Sequence, residues 1–464
     1  MTITQWVGAK MREKRVTQQN IFHILASTEI GRELEAISNL LNENRQILDY
    51  VYDDLVALKD PETGRLGMTA EQVLRCAILK QYRNLTYEEL AFHLVDSRSF
   101  RAFAKLEWGQ KPAASTLQEN IKSVSEATWE TINRVIIGYA AKQDLEKGRT
   151  IRMDSTAVEA DIHYPTDSTL LQDGIRIITR LLIEGKRLYP TPGYTFSDHR
   201  RVVKRRVIQI LNSKKDEVRK KCYRDLIEIA LRMKGYGVEA IGVLESFRSP
   251  LSDAVLDARV LAEKLERVID ILSRVIEQTR RRVIEGETVP ASEKVVSFFE
   301  CHTDIIEKGN REITYGHKLF LVGGASGLII DCVMERGNPA DSAKYLDLLD
   351  RQEEIYGRFP RQASADGGFA SKDNLRKAKE RGVGDVSFSK RRGLAVLDMV
   401  KSSWVYKKLK NFRAGIEANI SVLKRAFGLT RSTWSGWAGF KQYVRSAIVA
   451  YNLLTLGRLC ATTA

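Results

Sequence analysis

The feature of this sequence that most constrains its fold is one strand-like segment that stands apart from the other strand-like segments. Residues 150–159 (TIRMDSTAVE) alternate between apolar and polar side chains, which is typical of a β-strand. Helical periodicity precedes this segment up to about residue 147 and follows it from about residue 168 to residue 285. Strand patterns return only after Ile313. We therefore predict a mixed α/β core that is interrupted by a large helical insertion.

Four further strands are predicted after Ile313, at residues 315–323, 328–335, 361–366 and 384–390. A glycine-rich link joins the first two, as in a hairpin, whereas the last two alternate with helices, as in parallel sheets. With residues 150–159 they predict a mixed five-stranded sheet, with three antiparallel neighbours and two parallel strands. The predicted organisation is an N-terminal helical region (1–147), an α/β domain (148–167 and 300–464) and a helical insertion (168–299).

For neither helical region does the sequence decide what the region binds or packs against. In the first, Thr86 and Glu89 have the spacing of a capping box, and short capped helices suit a small DNA-binding or dimerisation domain or any other helical bundle. In the insertion, five apolar residues alternate at four- and three-residue spacing. This pattern predicts a seam packed on another helix, either within the chain or across a dimer. The seam consists of Leu261, Leu265, Val268, Leu272 and Val275.

The chain is strongly basic. It has 74 Lys and Arg residues against 59 Asp and Glu residues, and the resulting net charge of +15 favours a polyanionic partner, with nucleic acid first. Eleven of the basic residues lie between Arg200 and Arg224, with only two acids among them. Such runs are usually solvated helix faces. The overall excess nevertheless favours a surface that faces phosphates, and we place Arg205 and Arg206 among its DNA contacts.

Other patterns exclude several classes of protein. No uncharged apolar run approaches the roughly 20 residues of a membrane span, and residues 1–16 lack the apolar core of a secretory signal, so we expect a cytoplasmic protein. The five cysteines lie far apart without a C-x-x-C pair, which is typical of a reducing compartment and offers no zinc site. No phosphate-binding loop of the G-x-x-x-x-G-K-[ST] type occurs, which argues against an ATP-driven motor.

Three acids stand out by position. Asp154 lies inside a predicted strand, and Asp366 ends another strand and is followed by Gly367-Gly368-Phe369. Aspartate is disfavoured in strands, although either residue alone is most simply a turn or capping acid. Glu417 lies on a predicted helix at 410–427, beside an apolar stripe formed by Ile416, Ile420, Leu423 and Phe427. Its neighbours on that face are Lys410, Arg413 and Lys424, which suits either simple i,i+4 ion pairs or an acid that binds a metal beside a phosphate backbone.

Three carboxylates together suit Mg²⁺, a hard cation that prefers oxygen ligands and substrate phosphates. Two such ions stabilise the attacking and leaving oxygens of an in-line phosphoryl displacement, so the protein needs no nucleophile of its own. The six histidines form no Ser-His-Asp or Cys-His grouping, and we interpret His163 and His302 as structural. We expect Trp434 and Trp437 to pack against the last helix rather than to stack on an extruded base.

The sequence resembles the DDE transposases of bacterial insertion sequences. The resemblance lies in the Asp154-Ser155-Thr156 strand, in Asp366-Gly367-Gly368-Phe369 and in the spacing Arg413-x3-Glu417-x6-Lys424. The last spacing is similar to the group whose third acid lies in a Tyr-x2-Arg-x3-Glu-x6-Lys helix, although Lys410 occupies the tyrosine position here. The segments 162–168 and 337–341 also resemble that group.

The resemblance implies an RNase H-like catalytic core in which Asp154, Asp366 and Glu417 bind Mg²⁺, with Mn²⁺ as a substitute. It also implies that Arg413 and Lys424 contact the element's DNA ends, with Lys410 at the same face. Binding to terminal inverted repeats, DNA cleavage and strand transfer within a homodimeric complex are implied in the same way. Two alternatives stay open from the residues: an RNase H-like nuclease without strand transfer, and a DNA-binding regulator that has lost catalysis.

Overall fold

The computed structural model describes residue 14 and residues 28–57, 67–188, 193–249, 252–307 and 313–463. Except for Lys14, the N-terminal segment on which the expectation about a signal rests lies outside these residues. The chain divides into two compact units, residues 1–160 with 316–464 and residues 161–315. No helix in the described part of the chain is long and apolar enough to cross a membrane.

The elements follow the predicted change from helical to mixed structure. Before the first strand, the helices are α1 (Glu29–Glu43), α2 (Ile47–Val56), α3 (Ala70–Tyr82), α4 (Tyr87–Asp96), α5 (Arg98–Phe103), α6 (Ala114–Ser123) and α7 (Glu126–Lys142). Strand β1 (Thr150–Glu159) follows, and then α8 (Asp167–Leu188), α9 (Arg200–Asn212), α10 (Asp216–Ser246), α11 (Ser252–Thr279) and β2 (Asp304–Ile306). The C-terminal part contains β3 (Thr314–Gly323), β4 (Ile329–Glu335), α12 (Asp341–Tyr356), β5 (Gln362–Ala365), α13 (Lys372–Glu380), β6 (Asp385–Phe388), α14 (Val396–Met399), α15 (Ser403–Ala426) and α16 (Gly436–Thr463).

The N-terminal helices pack in the same compact unit as most of the sheet. The predicted capping box is confirmed: Thr86 Oγ1 accepts the Glu89 N–H at 3.1 Å, and Glu89 Oε2 accepts the Thr86 N–H at 2.8 Å. Helix α3 is buried along its whole length, including its charged residues. Its Arg75 donates to Glu71 on the preceding turn. A helix buried on all sides is typical of the centre of a helical bundle.

Within the described residues the sheet has six strands, so the prediction of five was wrong by one. The five predicted strands are all present, and β1 pairs antiparallel with β3, which pairs antiparallel with β4. On its other side β1 pairs parallel with β5, which pairs parallel with β6. The additional strand β2 neighbours β3. It has only three residues, too few for a period-two pattern to be recognised.

The second unit is built mainly of four helices, α8 to α11, around an apolar core of its own. Four residues of the predicted seam, Leu261, Leu265, Leu272 and Val275, are buried there, and Val268 is partly buried against them. Helix α11 packs on α8 and α10 of the same unit. Of the two readings left open for the seam, the intrachain one is therefore confirmed, and the seam gives no support to a dimer.

Candidate active site

The register of the parallel strands brings two of the predicted acids together. Met153 on β1 pairs with Ala365 on β5, and Asp154 and Asp366 each come one residue later. Neighbouring strands lie about 4.8 Å apart, so the two aspartates occupy adjacent positions on the sheet. Asp154 lies within β1 and pairs with Leu321 of β3, whereas Asp366 lies just beyond the end of β5.

Asp154 is largely enclosed, with 13% of its side chain exposed. Its Oδ1 accepts the N–H of Ser155 at 2.7 Å, and its Oδ2 lies 3.4 Å from Nη1 of Arg413. The next strand residues, Ser155 and Thr156, are buried. A carboxylate in this position is held by a neighbouring backbone donor and by a cation.

Asp366 lies at the point where β5 turns away from the sheet. Burial raises the pKa of its carboxyl group, but a hydrogen bond from Ser389, the N–H groups of Gly367 and Gly368 and the charge of Arg413 outweigh burial and hold the pKa below its usual range. Ser389 Oγ donates to Oδ1 at 2.7 Å. A Cβ at Gly367 would clash with Lys390, so the glycine allows the turn to approach the end of β6.

The third acid and its basic neighbour come from helix α15. The helix starts at Ser403, is capped by the Oγ of the preceding Ser402, and buries Ile416 and Leu423 of the predicted stripe. Nη2 of Arg413 lies 2.8 Å from Oε1 of Glu417, one turn further along the helix. Glu417 is the most exposed of the three acids, with 59% of its side chain exposed.

Arg413 is the common partner of all three predicted acids. Its Nη1 contacts Asp154 at 3.4 Å and Asp366 at 3.8 Å, and its Nη2 contacts Glu417. Burial lowers the pKa of this guanidinium, but the three carboxylates reverse the effect and raise it. Asp154, Asp366 and Glu417 therefore converge on one point from three separate elements, β1, the end of β5 and α15.

Helix α15 is also held to the sheet by a contact with Arg152 of β1. Arg152, two residues before Asp154, donates from Nη1 to the carbonyl oxygen of Phe412 at 3.2 Å and lies over the Phe412 ring. A Cβ at Gly415 would clash with the same guanidinium. Sequence reasoning gave no role to Arg152 or Gly415, and only the packing of α15 on β1 reveals this contact.

The acids fit a divalent cation in chemical type. Carboxylate oxygens are the ligands that Mg²⁺ prefers, and two of the carboxylates already contact the same nitrogen of Arg413. Within the described ranges, however, no three Asp, Glu, His or Cys side chains form a cluster ready to hold an ion. The guanidinium therefore provides the positive charge that the three acids share in this structure.

The predicted DNA-contacting residues fall in two places. Lys410 is exposed and Lys424 partly exposed, and both lie on α15 with Arg413 and Glu417. Arg205 and Arg206 lie on α9 in the second unit, where Arg205 is exposed and Arg206 forms an ion pair with Asp225 at 2.9 Å.

The histidines and tryptophans take structural positions. His163 lies 3.4 Å from Asp173, and Nε2 of His302 lies 2.6 Å from Glu300. Trp434 is buried against Tyr443 of α16, with 5.9 Å between ring centroids. Trp437 stacks on Phe440 of the same helix. The expected packing against the last helix is confirmed for Trp434, whereas Trp437 is itself part of that helix.

Sequence reasoning missed two residues that contact the acid-bearing segments, Ser389 and Asp341. Ser389 follows β6 without any motif of its own, so only the strand pairing could have revealed it. Asp341 ends the segment 337–341, which was noted for its resemblance but was given no role.

Two family models match separate parts of the chain. A family model described as a transposase DDE domain matches residues 281–453, and one described as a transposase domain (DUF772) matches residues 25–123. The first match includes Asp366, Arg413 and Glu417, and Asp154 lies between the two matched segments. No curated protein and no solved structure matches the chain.

Proposed function

We propose that this chain, which the two family matches identify as a DDE-type transposase, binds the terminal inverted repeats of an insertion sequence, cleaves DNA there and joins the freed ends to target DNA in the presence of Mg²⁺. A DDE domain implies an RNase H-like core, and the mixed sheet is consistent with one. The single observation that supports the catalytic assignment is the convergence of Asp154, Asp366 and Glu417 on Arg413.

The proposed metal ligands are these three carboxylates. Bound divalent ions stabilise the attacking and leaving oxygens of a phosphoryl displacement, for which water or a DNA 3′-hydroxyl is the nucleophile. The protein's own contribution is to hold its ligands in place and ionised. Burial alone would raise the pKa of Asp366, but Ser389, two backbone N–H groups and Arg413 keep it below its usual range, so the carboxyl group stays ionised and available to a cation. Strand pairing fixes Asp154 beside it.

The proposed DNA contacts are Arg413, Lys410 and Lys424 on α15, with Arg205 and Arg206 on α9 of the second unit. The exposed basic side chains of α9 and the net charge of +15 support an electrostatic contact with the phosphate backbone. We assign the second unit to holding DNA on this charge. A homodimer on DNA is proposed because two element ends must be cut and joined together, and a cytoplasmic location beside the nucleoid follows from that substrate.

The proposal is tested by cleavage and strand transfer on DNA that carries the element's own ends. The wild-type chain is compared with Asp366→Asn and with a matched control, Asp373→Asn, an exposed acid on α13 that is ion-paired with Lys377. We expect Mg²⁺-dependent cleavage and joining by the wild type and the control, and binding without cleavage by Asp366→Asn. Equal cleavage by all three proteins would contradict the assignment of Asp366. Cleavage without joining would favour a nuclease, and binding without cleavage by the wild type would favour a regulator.

A further inference from the structure

A fourth acid, Asp341, contacts both segments that carry the proposed catalytic aspartates. It lies in the first turn of α12, with 14% of its side chain exposed. Its Oδ2 accepts a hydrogen bond from Ser155 Oγ at 3.2 Å, and the same oxygen lies so close to Gly368 that a Cβ at position 368 would clash with it. Ser155 directly follows Asp154, and Gly368 lies two residues after Asp366.

Ser155 and Gly368, which Asp341 contacts, each also donate a backbone hydrogen bond to a proposed metal ligand. The N–H of Ser155 donates to Asp154 at 2.7 Å, while its hydroxyl donates to Asp341. The N–H of Gly368 hydrogen-bonds to Asp366, while its Cα faces Asp341. A single carboxylate therefore contacts both segments that carry the proposed metal-binding aspartates.

Asp341 is itself fixed by a lysine from the sheet. Lys318 on β3 places its Nζ 2.6 Å from Oδ1 of Asp341 and donates to the carbonyl oxygen of Pro339 at 3.0 Å. Only 10% of the Lys318 side chain is exposed, and its ammonium group also lies over the Phe320 ring. The ion pair directs one oxygen of Asp341 to Lys318 and leaves the other for the two acid-bearing segments.

We propose that Asp341, held by Lys318, is a positioning residue that aligns Asp154 and Asp366 to share a divalent cation. The inference rests on the proposed function of those two aspartates. Outer-shell partners of this kind orient metal ligands, and their loss typically costs about 10- to 100-fold in metal affinity or activity. A merely structural acid at a helix N-terminus would instead affect stability alone.

The first test compares Asp341→Asn with the wild type and with Asp347→Asn, an exposed acid on the same helix that pairs with Lys344. Asparagine keeps the size of the side chain and an acceptor for Ser155, but it loses the ion pair with Lys318. We expect kcat for end cleavage to fall by about 10- to 100-fold with an unchanged KM for DNA. Mn²⁺ affinity, measured by electron paramagnetic resonance on the folded protein without DNA, should fall about tenfold or more. Asp347→Asn should match the wild type in all three quantities.

The second test uses the contact at Gly368. Gly368→Ala should lower Mn²⁺ affinity, because its Cβ would displace the Asp341 carboxylate. Adding Gly368→Ala to Asp341→Ala should have a smaller further effect, because the carboxylate is already absent. Wild-type kcat and Mn²⁺ affinity in Asp341→Asn, or fully additive effects in the double variant, would overturn the positioning role. A wild-type chain that neither binds Mn²⁺ nor cleaves DNA would instead overturn the proposed function itself.

Discussion

The replacement Arg413→Met removes the guanidinium that the three acids share. In the contact with Glu417 the carboxylate partner is 59% exposed, and ion pairs with an exposed partner contribute about 0–1 kcal/mol. The contact with Asp154 is between two side chains that are each 13% exposed, and breaking a fully buried pair costs about 3–5 kcal/mol. Because Arg413 lies between these limits, we expect the free energy of unfolding to fall by about 2 kcal/mol in buffer with EDTA.

A divalent cation should reverse this loss, since the carboxylates that lose Arg413 become available to it. At a free Mn²⁺ concentration of about 100 times Kd, binding adds about 2.7 kcal/mol to the stability of the folded state. Urea unfolding in EDTA and in Mn²⁺ measures both quantities, and Arg376→Met, at an exposed arginine on α13, is the control with an expected change within about 0.5 kcal/mol. A variant that is as stable as the wild type in EDTA, or one that gains no more from Mn²⁺ than the wild type does, would refute the reasoning.

Three further substitutions test the fold. Burial and a nearby lysine lower the pKa of Lys80 to about 8, so its charge costs stability at pH 7, and this cost disappears as the pH rises from about 8 to 10.5. Lys80→Met should therefore raise the free energy of unfolding at pH 7 by up to about 3 kcal/mol. Melting curves at pH 7 and at pH 10.5 should show that the gain is lost at the higher pH. Arg75→Met leaves the buried carboxylate of Glu71 with Lys105 as its ion-pair partner and removes the other hydrogen bonds of Arg75, and it should cost about 3 kcal/mol in urea unfolding. Gly316→Ala drives a Cβ into the backbone of β1 and should cost about 3 kcal/mol, whereas Gly242→Ala on α10, with open space around it, should stabilise the chain by up to about 1 kcal/mol in the same melting experiment.

Much of the fold could be predicted from local patterns. The alternation in residues 150–159 and in the four later strands is a period-two signal that tertiary packing did not override. Helix α15 begins at Ser403, before the predicted start at Lys410, because Ser402 caps it and Val405 and Leu409 extend the buried face. The packing partner of the α11 seam depends on helices α8 and α10, which no local pattern identifies.

The candidate site was predictable as a set of acids but not as an arrangement. The convergence of Asp154, Asp366 and Glu417 follows from strand pairing and from the packing of α15 on the sheet. Their shared contact with Arg413 could not be read from the sequence, where the arginine is simply one turn from Glu417. The contact of Asp341 with both aspartate segments also depends on residues far apart in the chain.

The most direct test of the account is to locate Mn²⁺ by anomalous scattering in crystals of the chain bound to an element end. The account predicts density beside the carboxylates of Asp154 and Asp366, with the Arg413 guanidinium moved away from them. Mn²⁺ density found only elsewhere, with Arg413 still bound to both carboxylates, would contradict it.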